Sequence, residues 1–298
     1  MDVSIIYVNY HTSGLIADSL RSVIALTRGV EYEVIIVDNH SESDLPDRFN
    51  RLFPELHIRY VMLQDNIGFG RANNEGFKLA QGRNLFCLNP DTVLLNNALR
   101  ILSGYLDDNP GTGIVGGNLL DADMKPALSF RRILPGIRWE MNELLHMHPE
   151  KLAFGRDSRF NHTDRPIEVG YISGADLMIR ADLASSVGGF NPEFFMYFEE
   201  TDLCLRVRKA GYSIVNVPQA SIQHIEGGSY VESGFNPRRL ERNERSRLTY
   251  YRLNSPPVRT TVANLIYGSF LLSRAILKHS RAYRHRLKLL IRIMLSKQ

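Results

Sequence analysis

The stretch VSIIYVNY, at residues 3–10, is a β-branched run that ends in polar side chains. Residues of this kind favour strands, and three later runs have the same form. They are EVIIVD at 33–38, IRYVML at 58–63 and NLFCLN at 84–89. Amphipathic segments separate the runs, near residues 13–26, 44–53, 71–80 and 95–107. The alternation predicts an α/β fold with a doubly wound, mostly parallel sheet flanked by helices.

Polar or small side chains follow each of the four predicted strands. They are Asn9 and Tyr10 after the first, Asp38 and Asn39 after the second, NIGFGRANN (66–74) after the third, and Asn89 and Asp91 after the fourth. In sheets of this kind, ligands bind beyond the carboxyl ends of the strands. The sequence therefore predicts a ligand site at that edge.

The glycine-rich stretch GFGRAN, at residues 68–73, raises the question of which nucleotide binds. A dinucleotide fingerprint would follow the first strand and end in a third glycine, where this stretch has Asn73. A mononucleotide is therefore the better reading. Gly68 and Gly70 would let the backbone approach it, and Asn73 would bond near it or cap a helix. Asp38 would accept hydrogen bonds from a base or ribose, or cap the next segment.

A divalent cation is predicted at the fourth strand. Asp91 follows that strand, and Mg²⁺ commonly binds one or two carboxylates together with substrate phosphates. His224 lies in SIQHIEGGS (221–229), after the later strand YSIVNVP (212–218), and is a possible further ligand that suits Mn²⁺ better than Mg²⁺. A structural histidine is the alternative reading for His224.

Three carboxylates crowd together in GGFNPEFFMYFEETDLCLRVRKAGY, at residues 188–212. Like charges so close together raise one another's pKa, as is expected for Glu199, Glu200 and Asp202. Their repulsion destabilises a fold unless a cation or hydrogen-bond donors compensate it. Capping is one explanation, because acidic side chains are favourable in the first turn of a helix, here one that ends before Gly211. The aromatic residues just before them, at 194–198, favour a second explanation, which is a functional carboxylate beside a low-dielectric wall.

Composition limits the class of protein. The chain has 298 residues, 44% of them hydrophobic and 23% charged, which is typical of a soluble globular protein. Cys87 and Cys204 lie in apolar stretches without metal-type spacing, which favours a reducing compartment over a disulfide framework. The start, MDVSIIYVNY, lacks the basic and long apolar regions of a signal peptide, so we expect a cytoplasmic protein. Residues 120–168 lose periodicity, which predicts a functional loop or lid.

The carboxyl-terminal part is strongly basic. Residues 231–298 contain 15 Lys or Arg and only three Asp or Glu. The apolar run TVANLIYGSFLLS (261–273) is too short to cross a bilayer and precedes basic residues interleaved with Leu and Ile. This pattern favours a helical appendage, residues 236–298, that lies on an anionic membrane surface. A basic helix packed on its own domain, residues 1–235, is one alternative. Nucleic-acid binding is the other, and no nucleic-acid motif supports it.

The order of these motifs resembles that of a known family. VSIIYVNY, VDN, NIGFGRANNEG, LNPD, SGADLMIR, GGFNPEFFMYFEETDLCLR and HIEGGS follow one another as in the family 2 glycosyltransferases, which have a GT-A, Rossmann-like fold. The similarity covers about residues 2–230 and is greatest to the rhamnosyltransferase-like branch that builds bacterial surface polysaccharides.

The resemblance implies roles for individual residues. Asn9 and Asp38 would contact the base and ribose of a nucleotide sugar, with Gly70 and Asn73 close to the nucleotide. Asn89-Pro90-Asp91 stands in place of the family's Asp-x-Asp element, which leaves Asp91 as the metal-binding carboxylate. Asn89 thus removes one carboxylate, and this puts the need for a metal in question.

The resemblance also implies a reaction. Glu200 stands where the family usually has the Asp of a Glu-Asp pair, and it would act as the base in an inverting transfer; Glu199 and Asp202 are rival candidates. Gly174 and Ala175 would form a small-residue floor beneath donor sugar and acceptor. Arg131 and Arg132 would close over the diphosphate, or belong to a solvated basic loop.

The implied partners follow from the same resemblance. They are a donor such as dTDP-L-rhamnose, Mg²⁺ or Mn²⁺, and a saccharide acceptor linked to a membrane lipid. A transferase that uses another nucleotide sugar is one alternative, and a catalytically silent nucleotide-sugar-binding scaffold is another.

Overall fold

The computed structural model describes residues 1–225 and 235–295. Its strands in this part of the chain are β1 (Val3–Asn9), β2 (Tyr32–Asp38), β3 (Ile58–Met62), β4 (Asn84–Leu88), β5 (Thr92–Leu94), β6 (Thr112–Leu120), β7 (Phe130–Arg131), β8 (Ile167–Glu168), β9 (Tyr171–Ile172), β10 (Asp176–Arg180) and β11 (Ser213–His224). The helices are α1 (Ser13–Leu26), α2 (Leu45–Leu52), α3 (Phe69–Leu79), α4 (Ala98–Asp108), α5 (Ile137–Leu144), α6 (His148–Phe154), α7 (Ala181–Ser186), α8 (Glu199–Lys209), α9 (Pro237–Asn254), α10 (Pro257–Leu277) and α11 (Arg281–Leu295), with a 3₁₀ turn at Gly155–Ser158.

The main sheet has the strand order β3-β2-β1-β4-β10-β6-β11-β5, and β8 pairs with β11. β1 is parallel to both β2 and β4, and β2 is parallel to β3. β10 runs antiparallel to β4 and β6, and β11 runs parallel to β6. The chain thus leaves β1 in one direction and returns on its other side at β4. Such a reversal of strand order opens a crevice at the carboxyl ends of the strands.

The core has two layers, one on each face of the sheet. Alternate side chains of a strand point to opposite faces, and β1 follows this rule. Ile5 and Tyr7 belong to the cluster beneath α1, α2 and α4, whereas Ile6 and Val8 belong to the cluster beneath α3, α7 and α8. The buried hydrophobic runs of the sequence therefore produce the predicted doubly wound α/β arrangement, and that prediction is confirmed.

The segment predicted as an irregular loop contains helices. Within residues 120–168, α5 and α6 form although Pro, His and Arg obscure their periodicity. Glu140 and Asn142, both polar, are the buried residues of α5, so a search for apolar spacing misses this helix. Contacts with α10 stabilise it, which is a tertiary effect.

The carboxyl-terminal helices pack together and onto the rest of the chain. Leu271 and Leu290 join α10 and α11 in one buried cluster, and Phe194 packs with Tyr250 and Tyr251 of α9 in another. The apolar run at 261–273 is the middle of a longer helix than the sequence predicted. Among the described helices, α10 alone has the length and apolar composition to span a bilayer, although a third of its apolar window is buried in the protein.

Candidate active site

The carboxyl ends of β1 and β2 are tied together by side chains. Asn9 Nδ2 donates to Asp38 Oδ1 over 2.7 Å, and Asn9 Oδ1 accepts from the backbone N–H of Thr12 over 3.0 Å. The Asp38 carboxylate also accepts from the N–H groups of Ser41 (2.9 Å) and Glu42 (3.2 Å). Both predicted nucleotide contacts are therefore buried and shape the loops after their strands, which is the capping role that the sequence also allowed for Asp38.

Asn39 connects this edge to the glycine-rich stretch. Its Oδ1 accepts from the N–H of Ile67 over 2.9 Å, and its Nδ2 donates to Asn66 Oδ1 over 3.0 Å. Asn66 Oδ1 accepts in turn from the N–H of Gly68. Tyr10, by contrast, is exposed at the same edge, where its ring is available to a ligand.

The two glycines before and within α3 permit close packing against the segment that leads to the acidic cluster. A Cβ on Gly68 would lie 2.2 Å from the carbonyl oxygen of Phe195. A Cβ on Gly70 would lie 3.0 Å from Phe190 Cβ and 3.4 Å from Glu199 Cβ. Gly68 also has φ of +91°, a region that disfavours residues with a Cβ. The glycines thus bring the nucleotide side of the site into contact with the acidic side.

Asn73 lies inside α3 and not at its cap. Its Nδ2 donates to the carbonyl of Phe69 over 3.0 Å, and its Oδ1 is buried without a hydrogen-bond partner among the described residues. The side chain is fully buried, so in this structure it supports α3 from within.

Asp91 and His224 meet at the ends of β4 and β11. His224 Nε2 lies 3.3 Å from Asp91 Oδ1, a buried oxygen that accepts no hydrogen bond within the described part of the chain. The N–H of Asn89 donates to the carbonyl of Ala175 over 2.9 Å, which fixes the turn that presents Asp91. Of the neighbouring stretch HIEGGS, residues 226–229 lie outside the described residues.

A cation can be accommodated beside Asp91. A buried carboxylate oxygen without a hydrogen bond and an adjacent imidazole are donors that suit Mn²⁺ or Mg²⁺. Among the described residues, no group of three or more His, Cys, Asp or Glu could hold a metal ion. The residues therefore fit a cation that takes most of its remaining ligands from substrate phosphates.

The acidic cluster begins α8, and the backbone before it is unusual. Tyr197 and Phe198 both have left-handed φ, at +72° and +67°, which costs of order 1–2 kcal/mol for each. Strained backbone of this kind concentrates at functional sites. Here it places Glu199 and Glu200 in the first turn of the helix.

Glu199 and Glu200 occupy different environments. Glu199 is 5% exposed, and its Oε2 has no hydrogen-bond partner among the described residues. Burial and then the neighbouring Glu200 raise the pKa of Glu199 well above its usual value. Glu200 is partly exposed, accepts from Thr201 Oγ1 over 3.1 Å, and has its pKa raised by desolvation. Its side chain lies 3.8 Å from the Cβ position of Gly174, in the predicted floor.

Asp202 is committed to structure. Arg206 Nε donates to its Oδ2 over 2.7 Å, and Asn254 Nδ2 donates to its Oδ1 over 2.8 Å. The carboxylate is 1% exposed and joins α8 to the end of α9. Its two oxygens therefore have partners that compensate its charge.

Asp176 is a residue that the sequence analysis missed. It opens β10 directly after Gly174 and Ala175, and its side chain is fully buried. Burial raises its pKa to about 7, although the N–H of Gly117 donates to its Oδ2 over 2.6 Å. A carboxylate at the start of a buried strand was the available signal.

The two arginines predicted to close over a diphosphate are engaged elsewhere. Arg131 is buried, bonds Glu143 over 2.8 Å, and lies 4.1 Å from the ring centroid of Trp139. Arg132 lies over the ring of Phe154. Arg131 was expected either to close over the diphosphate or to lie in a solvated basic loop. It does neither, because it is a buried residue that connects β7 to α5 through Glu143.

Comparison with known proteins assigns the family. The profile described as glycosyl transferase family 2 matches residues 4–180, which is more than half of the chain. The chain belongs to glycosyl transferase family 2. This family 2 glycosyltransferase is 29% identical, over 213 residues, to the N-acetylglucosaminyl-diphospho-decaprenol L-rhamnosyltransferase of Mycobacterium tuberculosis H37Rv. The match spans 66% of this chain and 67% of that relative, which confirms the rhamnosyltransferase-like resemblance.

Solved structures confirm the GT-A fold of the glycosyltransferase. GalNAc-T7 with UDP, GalNAc and Mn²⁺ superposes with a TM-score of 0.68 at 14% identity, over 98% of this chain and 56% of that one. S. aureus TarS 1–349 with UDP gives 0.57 at 16% identity, over 95% and 74%. At these identities the likeness concerns the fold.

Proposed function

We propose that this glycosyltransferase transfers L-rhamnose from dTDP-L-rhamnose, with inversion, to a saccharide carried on a polyprenyl diphosphate, in the synthesis of a bacterial surface polysaccharide. The name of the mycobacterial relative supports L-rhamnose as the transferred sugar and this class of acceptor. The observation that carries the proposal is the position of the acidic pair. Glu199 lies against Gly70 of the glycine-rich stretch, and Glu200 lies beside Gly174 of the predicted small-residue floor.

Glu200 is the proposed base. Its carboxylate is partly exposed and has space beside Gly174, whereas Glu199 is buried and Asp202 is bound by Arg206 and Asn254. The acceptor hydroxyl gives its proton to Glu200 as its oxygen bonds the anomeric carbon. The bond from that carbon to the diphosphate oxygen breaks, and the nucleoside diphosphate departs with the electron pair. A raised pKa makes Glu200 a stronger base than an ordinary carboxylate.

Glu199 supports that base in the proposal. With its pKa raised well above the usual value, Glu199 releases its proton less readily than an ordinary carboxyl, which disfavours a second negative charge beside Glu200. Two adjacent carboxylates in one buried site disfavour simultaneous ionisation. We therefore assign the negative charge of the pair to Glu200, which lies beside Gly174.

Asp91 and His224 are the proposed ligands of a divalent cation, with Asn89 in the turn that presents them. When bound, the cation offsets the charge that develops on the leaving diphosphate. Tyr10 and the backbone around Asn39 and Gly68 would bind the nucleoside, while Asn9 and Asp38 hold the loops beneath it.

The proposed location is the cytoplasmic face of the membrane, reached through residues 236–298. The exposed apolar side chains of α10 are spaced three, four or seven residues apart, which places them on one face of the helix. They are Val258, Val262, Leu265, Leu272 and Ile276. The same helix carries Arg259 and Arg274, and α11 is rich in Arg and Lys, which suits an anionic lipid surface.

The membrane proposal is tested by introducing negative charge on this stripe. Removing α10 would also uncover its buried Leu271, so surface changes are the cleaner test. The double variant Leu265→Glu/Leu272→Glu is expected to lose binding to phosphatidylglycerol vesicles. The control Leu152→Glu makes the same change at a 90% exposed position on α6 and should bind as the unaltered protein does. Equal binding by all three proteins would refute the proposal.

The donor is tested by direct transfer. The purified protein, Mn²⁺ and a decaprenyl-diphosphate-linked N-acetylglucosamine acceptor are incubated with dTDP-L-rhamnose, UDP-sugars or GDP-sugars, and the product is identified by mass spectrometry. Product from dTDP-L-rhamnose alone is the expected result. Product from a UDP-sugar or GDP-sugar alone would show that the donor is not dTDP-L-rhamnose. No product from any donor would favour a nucleotide-sugar-binding protein without transferase activity.

A further inference from the structure

A cationic cavity lies between the carboxyl-terminal helices and the loop that precedes the acidic pair. It has a volume of about 340 Å³, which is within the range of small-molecule sites. Its walls combine one face of α9 with its cap, one face of α11, and two residues outside the helices. They are Asn236, Arg239, Leu240 and Asn243 of α9 and its cap, Ala282 and Arg286 of α11, and Tyr197 with Phe235.

The polar groups of this cavity match an anion rich in oxygen. Its lining offers two guanidinium groups, one phenol and two amides, and no carboxylate among the residues that the structure describes. Arginine binds phosphate oxygens through paired N–H donors, which makes it the preferred residue for phosphate recognition. The cavity therefore favours a phosphate or diphosphate over a neutral sugar.

The two lining arginines, Arg239 and Arg286, differ in how firmly other side chains hold them. Arg286 donates from Nε to the buried Glu244 over 2.5 Å and from Nη2 to Tyr267 over 2.6 Å, so its guanidinium is fixed and its charge partly compensated. Arg239 is exposed, and its side chain forms no ion pair with the described residues. Arg239 is thus the group on which an anion would depend most.

Two more arginines stack on aromatic rings in this region. Arg281 is 4.9 Å from the ring centroid of Phe235, which lines the cavity, and Arg242 is 5.0 Å from that of Phe195, two residues before the lining residue Tyr197. Stacking holds each guanidinium over a ring and leaves its edge free to donate to phosphate oxygens. The positive charge is therefore greater than the lining alone provides.

The cavity is physically coupled to the reacting groups. Tyr197, in its wall, precedes Glu199 by two residues and has the left-handed backbone described above. Ser246 Oγ of α9 donates to the carbonyl of Met196 over 2.7 Å, which fixes α9 to the same loop. An anion bound here would lie next to the loop that presents the base, on helices separate from the strand ends that carry Asp91.

We propose that this cavity binds the diphosphate of the lipid-linked acceptor. The inference rests on the proposed function, since it names the part of the acceptor that the protein holds. The donor's diphosphate belongs with Asp91 and His224, so a second anion site implies a second phosphorylated substrate. The exposed Ile291 and Leu295, further along α11 from Arg286, offer apolar surface that suits the lipid of such an amphiphile.

The test measures binding of farnesyl diphosphate to the full-length protein by calorimetry. Arg239→Gln is compared with Arg238→Gln, which removes the same charge from an exposed neighbour on α9 that does not line the cavity. Loss of a charge-assisted hydrogen bond should weaken binding by about tenfold or more for Arg239→Gln and less than about twofold for Arg238→Gln. Affinity for dTDP should be the same in all three proteins.

Other results would overturn the inference. Equal losses in the two variants would indicate a general electrostatic effect, and a parallel loss of dTDP affinity would assign the cavity to the donor. If Arg239→Gln reduced binding to phosphatidylglycerol vesicles as much as binding to farnesyl diphosphate, the ligand would be bulk lipid. The proposed function fails separately, through absence of rhamnosyl transfer by the unaltered protein, so the two failures are distinguishable.

Discussion

Gly68 is the position where the nucleotide side of the site most directly constrains the acidic side. In Gly68→Ala, the new Cβ would lie 2.2 Å from the carbonyl oxygen of Phe195, which is a backbone atom and cannot rotate away. With φ of +91° and ψ of 169°, Gly68 has a backbone conformation that is essentially confined to glycine, and an alanine there costs about 1–3 kcal/mol. The overlap adds about 1–3 kcal/mol, as for other overpacked sites. We therefore expect Gly68→Ala to lower the free energy of unfolding by roughly 2–6 kcal/mol in total.

Gly188→Ala is the matched control. Gly188 also has a left-handed φ, +79°, but a Cβ there would meet no atom within 4 Å. It should therefore show only the backbone cost of about 1–2 kcal/mol. The assay is urea unfolding followed by the transfer rate of each folded variant. Because Phe195 is four residues before Glu199, a shift near 1 Å should reduce transfer about 100-fold in Gly68→Ala alone. Equal destabilisation and equal rates in the two variants would refute the proposed coupling.

Three further predictions concern titration and the cation. Because the pKa of Asp176 rises from 3.8 to about 7 on folding, its stabilising contribution is complete below pH 4 and declines by roughly 4 kcal/mol as the pH rises to 7. The free energy of unfolding of Asp176→Asn, measured in urea at each pH, should therefore decline less between pH 4 and pH 7 than that of the unaltered protein. The same pH dependence in both proteins would contradict this prediction. The raised pKa of Glu200 should move the rising limb of the pH–rate profile above 4.5, and a limb at or below 4.5 would contradict desolvation. Asp91→Asn should increase the Mn²⁺ concentration for half-maximal transfer about tenfold or more, and no change would exclude Asp91 as a ligand.

The sheet could be predicted from the sequence because its strands are continuous apolar runs. β1, β2, β3 and β4 each begin and end within a residue of the predicted bounds. In β1, β2 and β4, burial on both faces requires such runs, and polar residues end them. The helix before Gly211 was predicted for a similar reason, from its apolar spacing. The family's motif order supplied the rest of the GT-A assignment.

The helices within residues 120–168 could not be predicted because their stability depends on distant residues. Glu140 of α5 bonds Arg247 of α9 over 2.7 Å and Tyr251 over the same distance, and Arg247 Nη1 donates to Asn264 of α10. The residues of a buried ion pair are charged, so in the sequence they resemble surface residues. Its partners lie more than 100 residues away, so no local pattern reveals it.

Within the candidate site, the sequence identified the carboxylates but not which of them are bound by other side chains. The family resemblance favoured Glu200 as the base and left Glu199 and Asp202 as rivals, and their surroundings differ because Arg206 and Asn254 reach only Asp202. Asp38 also has hydrogen-bond partners that the sequence did not reveal, which are backbone N–H groups of the loop that follows it. For Asp202, one partner comes from the distant helix α9, and such partners decide which carboxylate is available to a substrate.

The role of Glu200 as the base is tested most directly by the transfer rate of Glu200→Gln, with dTDP binding measured on the same preparation. We expect a loss of about 100-fold to 10,000-fold in rate, as for removal of a general base, with dTDP affinity changed less than about twofold. Glu200→Gln turning over at the rate of the unaltered protein, with its fold intact, would contradict this role.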